Sequence, residues 1–205
     1  VPAGSTTSIG NDGYQPQGTV YGHIFEDTDG NGVQDAGEPN LSGVDVVVTD
    51  SLGVTQTLTT DGSGNYTATV PAGLTTVDVV ESTLPTGVVQ TAGSDPTTVN
   101  VPGGSTTNAG ADGYQPQATV YGHLFVDTNG NGSQDPGEPD LAGVSVVIAD
   151  SLGVTRTVVT DGDGDYAATV PAGSTTANVV EATLPAGYVQ TAGSDPSTVN
   201  VPAGS

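Results

Sequence analysis

The amino-acid sequence specifies an all-β chain of two tandem β-sandwich domains. Residues 1–100 and 101–200 align without a gap and are identical at 72 of 100 positions, so the chain is two periods plus the first residues of a third. A period of this length is too long for a solenoid unit and matches one whole sandwich domain. Within each period, short runs rich in Val and Thr alternate with period two, as half-buried strands do. Turns centred on Gly and Pro separate the runs, and no ten-residue stretch has helical spacing.

The first strand is expected over Thr19–Phe25. In the next, Val44, Val46 and Val48 alternate with Asp45, Val47 and Thr49. Further runs are Thr55–Thr60, Tyr66–Val70, Thr76–Val80, Val88–Thr91 and Thr98–Val101. Between them lie Asp61-Gly62, Pro71-Ala72-Gly73 and Pro85-Thr86-Gly87. About seven strands in one period is the count of an immunoglobulin-like sandwich. The glycines lack the three-residue period of collagen. Asp12–Gln17 recurs as Asp112–Gln117 and reads as a domain end with a short linker. Residues 18–117 are thus one sandwich repeat, and 118–205 a second that lacks its last strand. Residues 1–17 are the terminal strand and linker of a preceding repeat, a candidate donor strand for a neighbour.

Charge narrows the function. There are 23 Asp and Glu against one basic residue, Arg156, giving a net charge of −22. Nucleic acid and anionic membrane surfaces repel such a chain. With no Cys, there is no disulfide, zinc-thiolate site or thiol nucleophile. Leu, Ile, Val and Phe are about 21% of the residues, close to the composition of disordered chains. A compact form repels itself, and bound cations are the expected remedy.

The cation site is visible in the motif D-T-D-G-N-G-V-Q-D-A-G-E at 27–38, which meets every required position of the calcium loop D-x-[DN]-x-[DN]-G-x5-E. Asp27, Asp29 and Asn31 supply side-chain oxygens, and Gly32 makes the sharp turn. Val33 offers its carbonyl, Asp35 binds directly or through water, and Glu38 binds through both oxygens. The second copy, 127–138, uses Asp127, Asn129, Asn131, the Ser133 carbonyl, Asp135 and Glu138. It has one carboxylate fewer and is expected to bind Ca²⁺ more weakly. Strand-like runs flank both loops where an EF-hand has helices, so a structural ion is expected rather than a sensing switch. A candidate second metal site lies at Asp61, Ser63 and Asn65 and again at Asp161, Asp163 and Asp165. The competing reading there is a polar hairpin turn.

The run G-H-I-F-E-D-T-D-G-N-G-V-Q-D-A-G-E-P-N-L-S-G-V-D-V at 22–46 resembles the B-repeat domains of serine-aspartate-repeat surface adhesins. These are collagen-adhesin B-type, prealbumin-like sandwiches. T-D-G-S-G-N-Y at 60–66, E-S-T-L-P-T-G at 81–87 and D-G-Y-Q-P at 112–116 extend the likeness over both periods. The resemblance implies an extracellular, calcium-binding spacer or stalk module. Related domains often carry a Lys–Asn or Lys–Asp isopeptide bond, which a chain without Lys cannot form. Leu84-Pro85-Thr86-Gly87 lacks the spacer residue of a sortase signal.

No catalytic residue stands out. His23 and His123, one per repeat, are expected to pack or face solvent, with no G-x-S-x-G elbow beside them. Tyr21, Tyr66 and Tyr114 are expected in packing rather than sugar binding, and Arg156 as an exposed charge. The expected function is that of a non-enzymatic, calcium-stabilised repeat of an extracellular stalk or filament. Its expected partners are identical or near-identical repeats, either in a fibre joined by strand complementation or in a covalent array. The alternative is an adhesin domain that recognises a carbohydrate or host protein, which the repeated loop sequences disfavour.

Overall fold

The computed structural model describes Thr6 and residues 10–202. Their strands are β1 (Gln17–Glu26), β2 (Asp45–Thr49), β3 (Thr55–Thr59), β4 (Asn65–Pro71), β5 (Gly73–Val79), β6 (Val88–Ala92), β7 (Thr97–Val101), β8 (Thr106–His123), β9 (Ser145–Ala149), β10 (Thr155–Val159), β11 (Asp165–Pro171), β12 (Gly173–Val179) and β13 (Ser197–Val201). The described helical turns are three-residue 3-10 segments at Glu81–Thr83 and Glu181–Thr183. The fold is all-β, and every expected strand of the first period is present. Of the donor segment expected within 1–17, residues 1–5 and 7–9 lie outside the described residues, and among the described ones only Gln17 is in a strand, at the start of β1.

The chain forms two compact units that do not follow the sequence period. The first holds described residues up to His23, with 41–83 and 94–111; the second holds 24–40, 84–93 and those from Asp112 onward. In the first unit, an antiparallel sheet has the order β3-β2-β5-β7. Period-two alternation turns Val46, Val48, Val77 and Val79 inward. The antiparallel pair β1–β4 buries Val20, Ala68 and Val70. Burying one such Val side chain fully contributes about 1.5–3 kcal/mol.

In the second unit, the order β10-β9-β12-β13 reproduces the same sheet. Strand β11 pairs with residues 117–123 of β8, as β4 pairs with β1. The core is Ala118, Val146, Ile148, Ala168, Val170 and Val201.

The two periods differ in their closing strand. The bonds Thr19 N–H to Ser105 O (2.8 Å) and Asp27 N–H to Tyr114 O (3.0 Å) advance in the same direction along both segments. Strand β8 therefore closes the first period as a parallel neighbour of β1. No described segment does this for the second period. Val20 is fully buried, whereas its counterpart Val120 is only half-buried. Tyr66 is buried and Tyr166 half-buried. The segment 112–117, expected as a domain end with a short linker, is the middle of β8 and pairs with β6 through Gln90↔Tyr114 and Val88↔Pro116. Pro116 lacks an N–H, and Gln117 N–H donates to Gly87 O at 2.8 Å instead.

Candidate metal centre

The loop 27–38 leaves the end of β1 and is closed by a bridge between Phe25 and Asn40. Asp27 is wholly buried, which an ionised carboxylate tolerates only with partners. Its Oδ1 accepts from Gly30 N–H at 2.9 Å and Asn31 N–H at 3.1 Å, and its Oδ2 from Gly32 N–H at 2.9 Å. Gly30 and Gly32 have φ of 74° and 81°, the left-handed region in which glycine is unstrained. Those two glycines let the loop turn its amides toward Asp27.

Glu38 returns across the loop. Its Oε1 accepts from Thr28 N–H at 2.6 Å and Asp29 N–H at 3.3 Å, and its Oε2 from Asp35 N–H at 2.9 Å. Carboxylate oxygens of Asp27, Asp29 and Glu38 all lie within 4.8 Å of one another. Oxygens bound to one Ca²⁺ at 2.3–2.6 Å are at most about 5 Å apart, so this oxygen-only set fits such an ion. The Asn31 amide nitrogen is 3.1 Å from Asp29 Oδ2 and 2.7 Å from Asp35 Oδ2, which brings loop positions 3, 5 and 9 to one point. Val33 is exposed, and its N–H donates to Asn31 Oδ1 at 2.8 Å.

The second loop repeats the frame. Asp127 accepts from Gly130, Asn131 and Gly132 N–H at 2.7, 3.1 and 2.8 Å. Glu138 accepts from Thr128, Asn129 and Asp135 N–H at 2.7, 3.3 and 2.9 Å. Asn129 and Asn131 each donate a side-chain amide to Asp135 Oδ2, at 2.8 and 2.7 Å. Ser133 N–H donates to Asn131 Oδ1 at 2.8 Å. A hydrogen bond from the Thr191 hydroxyl, with the loop amides, holds the Asp127 carboxyl below its ordinary value.

The acidic turns are arranged differently. Asp61 Oδ1 accepts from Ser63 N–H at 2.8 Å and Asn65 N–H at 2.9 Å; Asp161 does the same with Asp163 and Asp165, both at 3.0 Å. These are Asx turns that close hairpins. The Asn65 and Ser63 amides lower the Asp61 carboxyl from its ordinary value. Asn65 Oδ1 and Asp165 Oδ1 meet His23 and His123 Nδ1, at 3.0 and 2.8 Å. Three acidic groups do not converge at either turn among the described residues.

Two arrangements were not expected. His123 sits between Asp165 and Asp140, with Nε2 3.3 Å from Asp140 Oδ1, and stacks on Phe125 at 6.1 Å. It thereby ties the loop exit to β11. The signal was available, since Asn40 and Asn65 both become Asp in the second period, on either side of a retained His. Arg156 is not a free charge, because its guanidinium pairs with Asp150 at 3.2 Å and donates to Thr169 O. Gln56 Nε2 donates to Thr69 O at 3.1 Å, the same contact without the charge. Tyr66 and Tyr114 are buried as expected, whereas Tyr21, expected to pack as well, is exposed, and Tyr14 and Tyr121 are strongly exposed.

Fold and site together define a tandem β-sandwich module with an acidic loop grafted between strands. The SdrD B-like domain model matches residues 19–113 and 118–201, and the chain belongs to that family. It is 30% identical over 190 residues to serine-aspartate repeat-containing protein D of Staphylococcus aureus strain Newman, covering 86% of this chain and 14% of that protein. It is 32% identical over 168 residues to serine-aspartate repeat-containing protein F of Staphylococcus epidermidis, covering 75% and 10%. The chain thus spans about a seventh or less of these curated relatives. Among solved structures, the Bacillus anthracis TIE protein overlaps with a TM-score of 0.41 at 17% identity, covering 92% of this chain and 32% of that one. The minor pilin of Streptococcus agalactiae overlaps with a TM-score of 0.41 at 12% identity, covering 91% of each. The chain is a tandem-repeat module of that family, and its location is extracellular. No helix among the described residues is long and apolar enough to cross a membrane.

Proposed function

We propose that the chain is a calcium-stabilised stalk or filament repeat, assembled end to end by strand complementation. The repeats are 18–117 and 118–205, and they bind Ca²⁺ at loops 27–38 and 127–138. The reading assigns no catalytic residue. The observation that supports it is the closure of the first repeat, where the segment from Ser105 to Tyr114 runs beside β1 and continues into the next repeat as the rest of β8. In the second unit, a groove of about 450 Å³ runs along the outer edge of β8, lined by Val120, Ile148, Tyr166, Ala177, Val199 and Val201. The equivalent edge of β1 is covered by the segment that begins at Ser105. The occupant is a segment of the same sequence type from another repeat. Residues 6–14 match 106–114 at six of nine positions, although 7–9 lie outside the described residues.

Extracellular calcium modules bind with Kd of roughly 10⁻⁴–10⁻³ M. At a few millimolar free Ca²⁺, each filled loop stabilises the fold by about 1–2 kcal/mol. The test is a thermal melt with electron microscopy, in calcium and in EGTA. The expected result is a Tm several degrees higher in calcium, with filaments that lengthen with protein concentration. An identical melt in EGTA overturns the calcium role, and monomers under all conditions overturn the assembly.

A further inference from the structure

The closing strand ends on the metal loop. Gly113 sits where an added Cβ would lie 2.8 Å from Phe25 Cζ and 3.2 Å from Asp27 Cβ. The Tyr114 carbonyl accepts the Asp27 N–H. Gln115 is wholly buried, and its Nε2 donates to Thr28 O at 3.2 Å. Its Oε1 is buried with no hydrogen-bond partner among the described residues. That amide lies against the loop, since an added Cβ on Gly30 would meet Gln115 Nε2 at 2.8 Å and Oε1 at 3.0 Å. The same strand forms β6, through Val89↔Gln115 and Gln90↔Tyr114.

The second loop has the same frame and no such seat. An added Cβ on Gly130 would meet nothing within 4 Å. Asp127 and Phe125 are half-buried where Asp27 and Phe25 are fully buried. Residues 188–192, the counterpart of β6, form no strand, and Val189 is 82% exposed.

We propose that the closing strand is the clamp of the calcium loop, with Gln115 as its positioning residue, so that strand docking and calcium binding strengthen each other. The inference rests on the strand-complementation reading above. A docked strand fixes the backbone that carries Asp27 and Thr28, and an ordered loop binds an ion without first losing its freedom. Linkage then requires calcium to tighten the strand by the same factor. Calcium becomes the signal that sets assembly going, and a repeat without a strand remains a weak site.

The test uses the full chain and a synthetic peptide of residues 105–117, at protein concentrations below those that assemble. Calorimetry reads calcium affinity with and without peptide, and fluorescence anisotropy reads peptide affinity in calcium and in EGTA. The expected result is a gain of about tenfold in the weaker calcium site on adding peptide, and an equal gain for the peptide on adding calcium. A peptide carrying Gln115→Ala keeps its backbone pairing and is expected to dock with most of the calcium gain lost. An equal gain from that peptide overturns the role of Gln115. Separately, Asn129→Asp restores the missing carboxylate of the second loop. If that change alone equalises the two loops without peptide, the clamp is overturned. Peptide and calcium that bind without affecting each other overturn the linkage but leave strand complementation and the calcium loops standing. Failure of either to bind overturns the underlying reading and the linkage with it.

Discussion

At single residues, small differences between the periods act as controls. Gly22 lies under Tyr66, and an added Cβ would sit 2.0 Å from its hydroxyl and 2.3 Å from Cζ. Tyr66 is 4% exposed and its ring has no room to retreat. Gly122 faces Tyr166 in the same way, at 2.3 and 2.4 Å, but Tyr166 is half-buried and can move outward. Gly22→Ala is therefore expected to cost about 1–3 kcal/mol, as overpacking a core does, and Gly122→Ala clearly less. Denaturant melts of the two variants check this, and equal losses would show that both tyrosines are held alike. The frame of the acidic loops was legible at this scale, because each loop position is set by local spacing and glycine conformation. The His123–Asp140–Asp165 tie left only an indirect trace, the paired Asn-to-Asp changes at 140 and 165, because it joins residues distant in sequence.

At the scale of elements, most strands could be read because the alternation that defines them also buries them. Val46 and Val48 face inward while Val47 does not, as the pattern requires. Strand β6 marks where local pattern stops being sufficient. Val88-Val89-Gln90-Thr91-Ala92 and Tyr188-Val189-Gln190-Thr191-Ala192 share four of five residues, yet only the first is a strand. The difference is a partner, residues 113–116 of β8. Strand β8 runs on through Gly113 and Pro116, residues that ordinarily mark turns. Here Gly113 provides close approach to Phe25, and Pro116 sits where its missing donor is not required. Amide hydrogen exchange on the chain in calcium is expected to show protection at the paired amides of Val88–Ala92. Their counterparts in 188–192 are expected to exchange at least tenfold faster, since unpaired exposed backbone opens at little cost. Adding the 105–117 peptide is expected to slow exchange at 188–192. Equal exchange in the two segments without peptide would mean that the pairing of β6 does not govern its order.

For the whole molecule, the question is whether the charge of −22 acts diffusely or at defined places. Of the 23 acidic residues, seven lie in the two loops, at 27, 29, 35, 38, 127, 135 and 138. Diffuse repulsion is screened by any salt, and about 1 M monovalent salt shortens the Debye length to roughly 3 Å. The wholly buried Asp27, with half-buried Glu38 and exposed Asp29 within 4.8 Å, is screened less than charges spread over the surface. The two contributions therefore separate experimentally. In EGTA, raising NaCl from 0.05 to about 1 M is expected to raise Tm in part, by relieving repulsion across the surface. Adding a few millimolar Ca²⁺ at high salt is expected to raise it further, by the about 1–2 kcal/mol per loop that a site-bound ion contributes. The calcium increment is expected to survive high salt with little loss, because the loop oxygens hold the ion by coordination. If 1 M NaCl alone restored the full calcium Tm, the acidic loops would be one more part of a diffuse charge rather than sites.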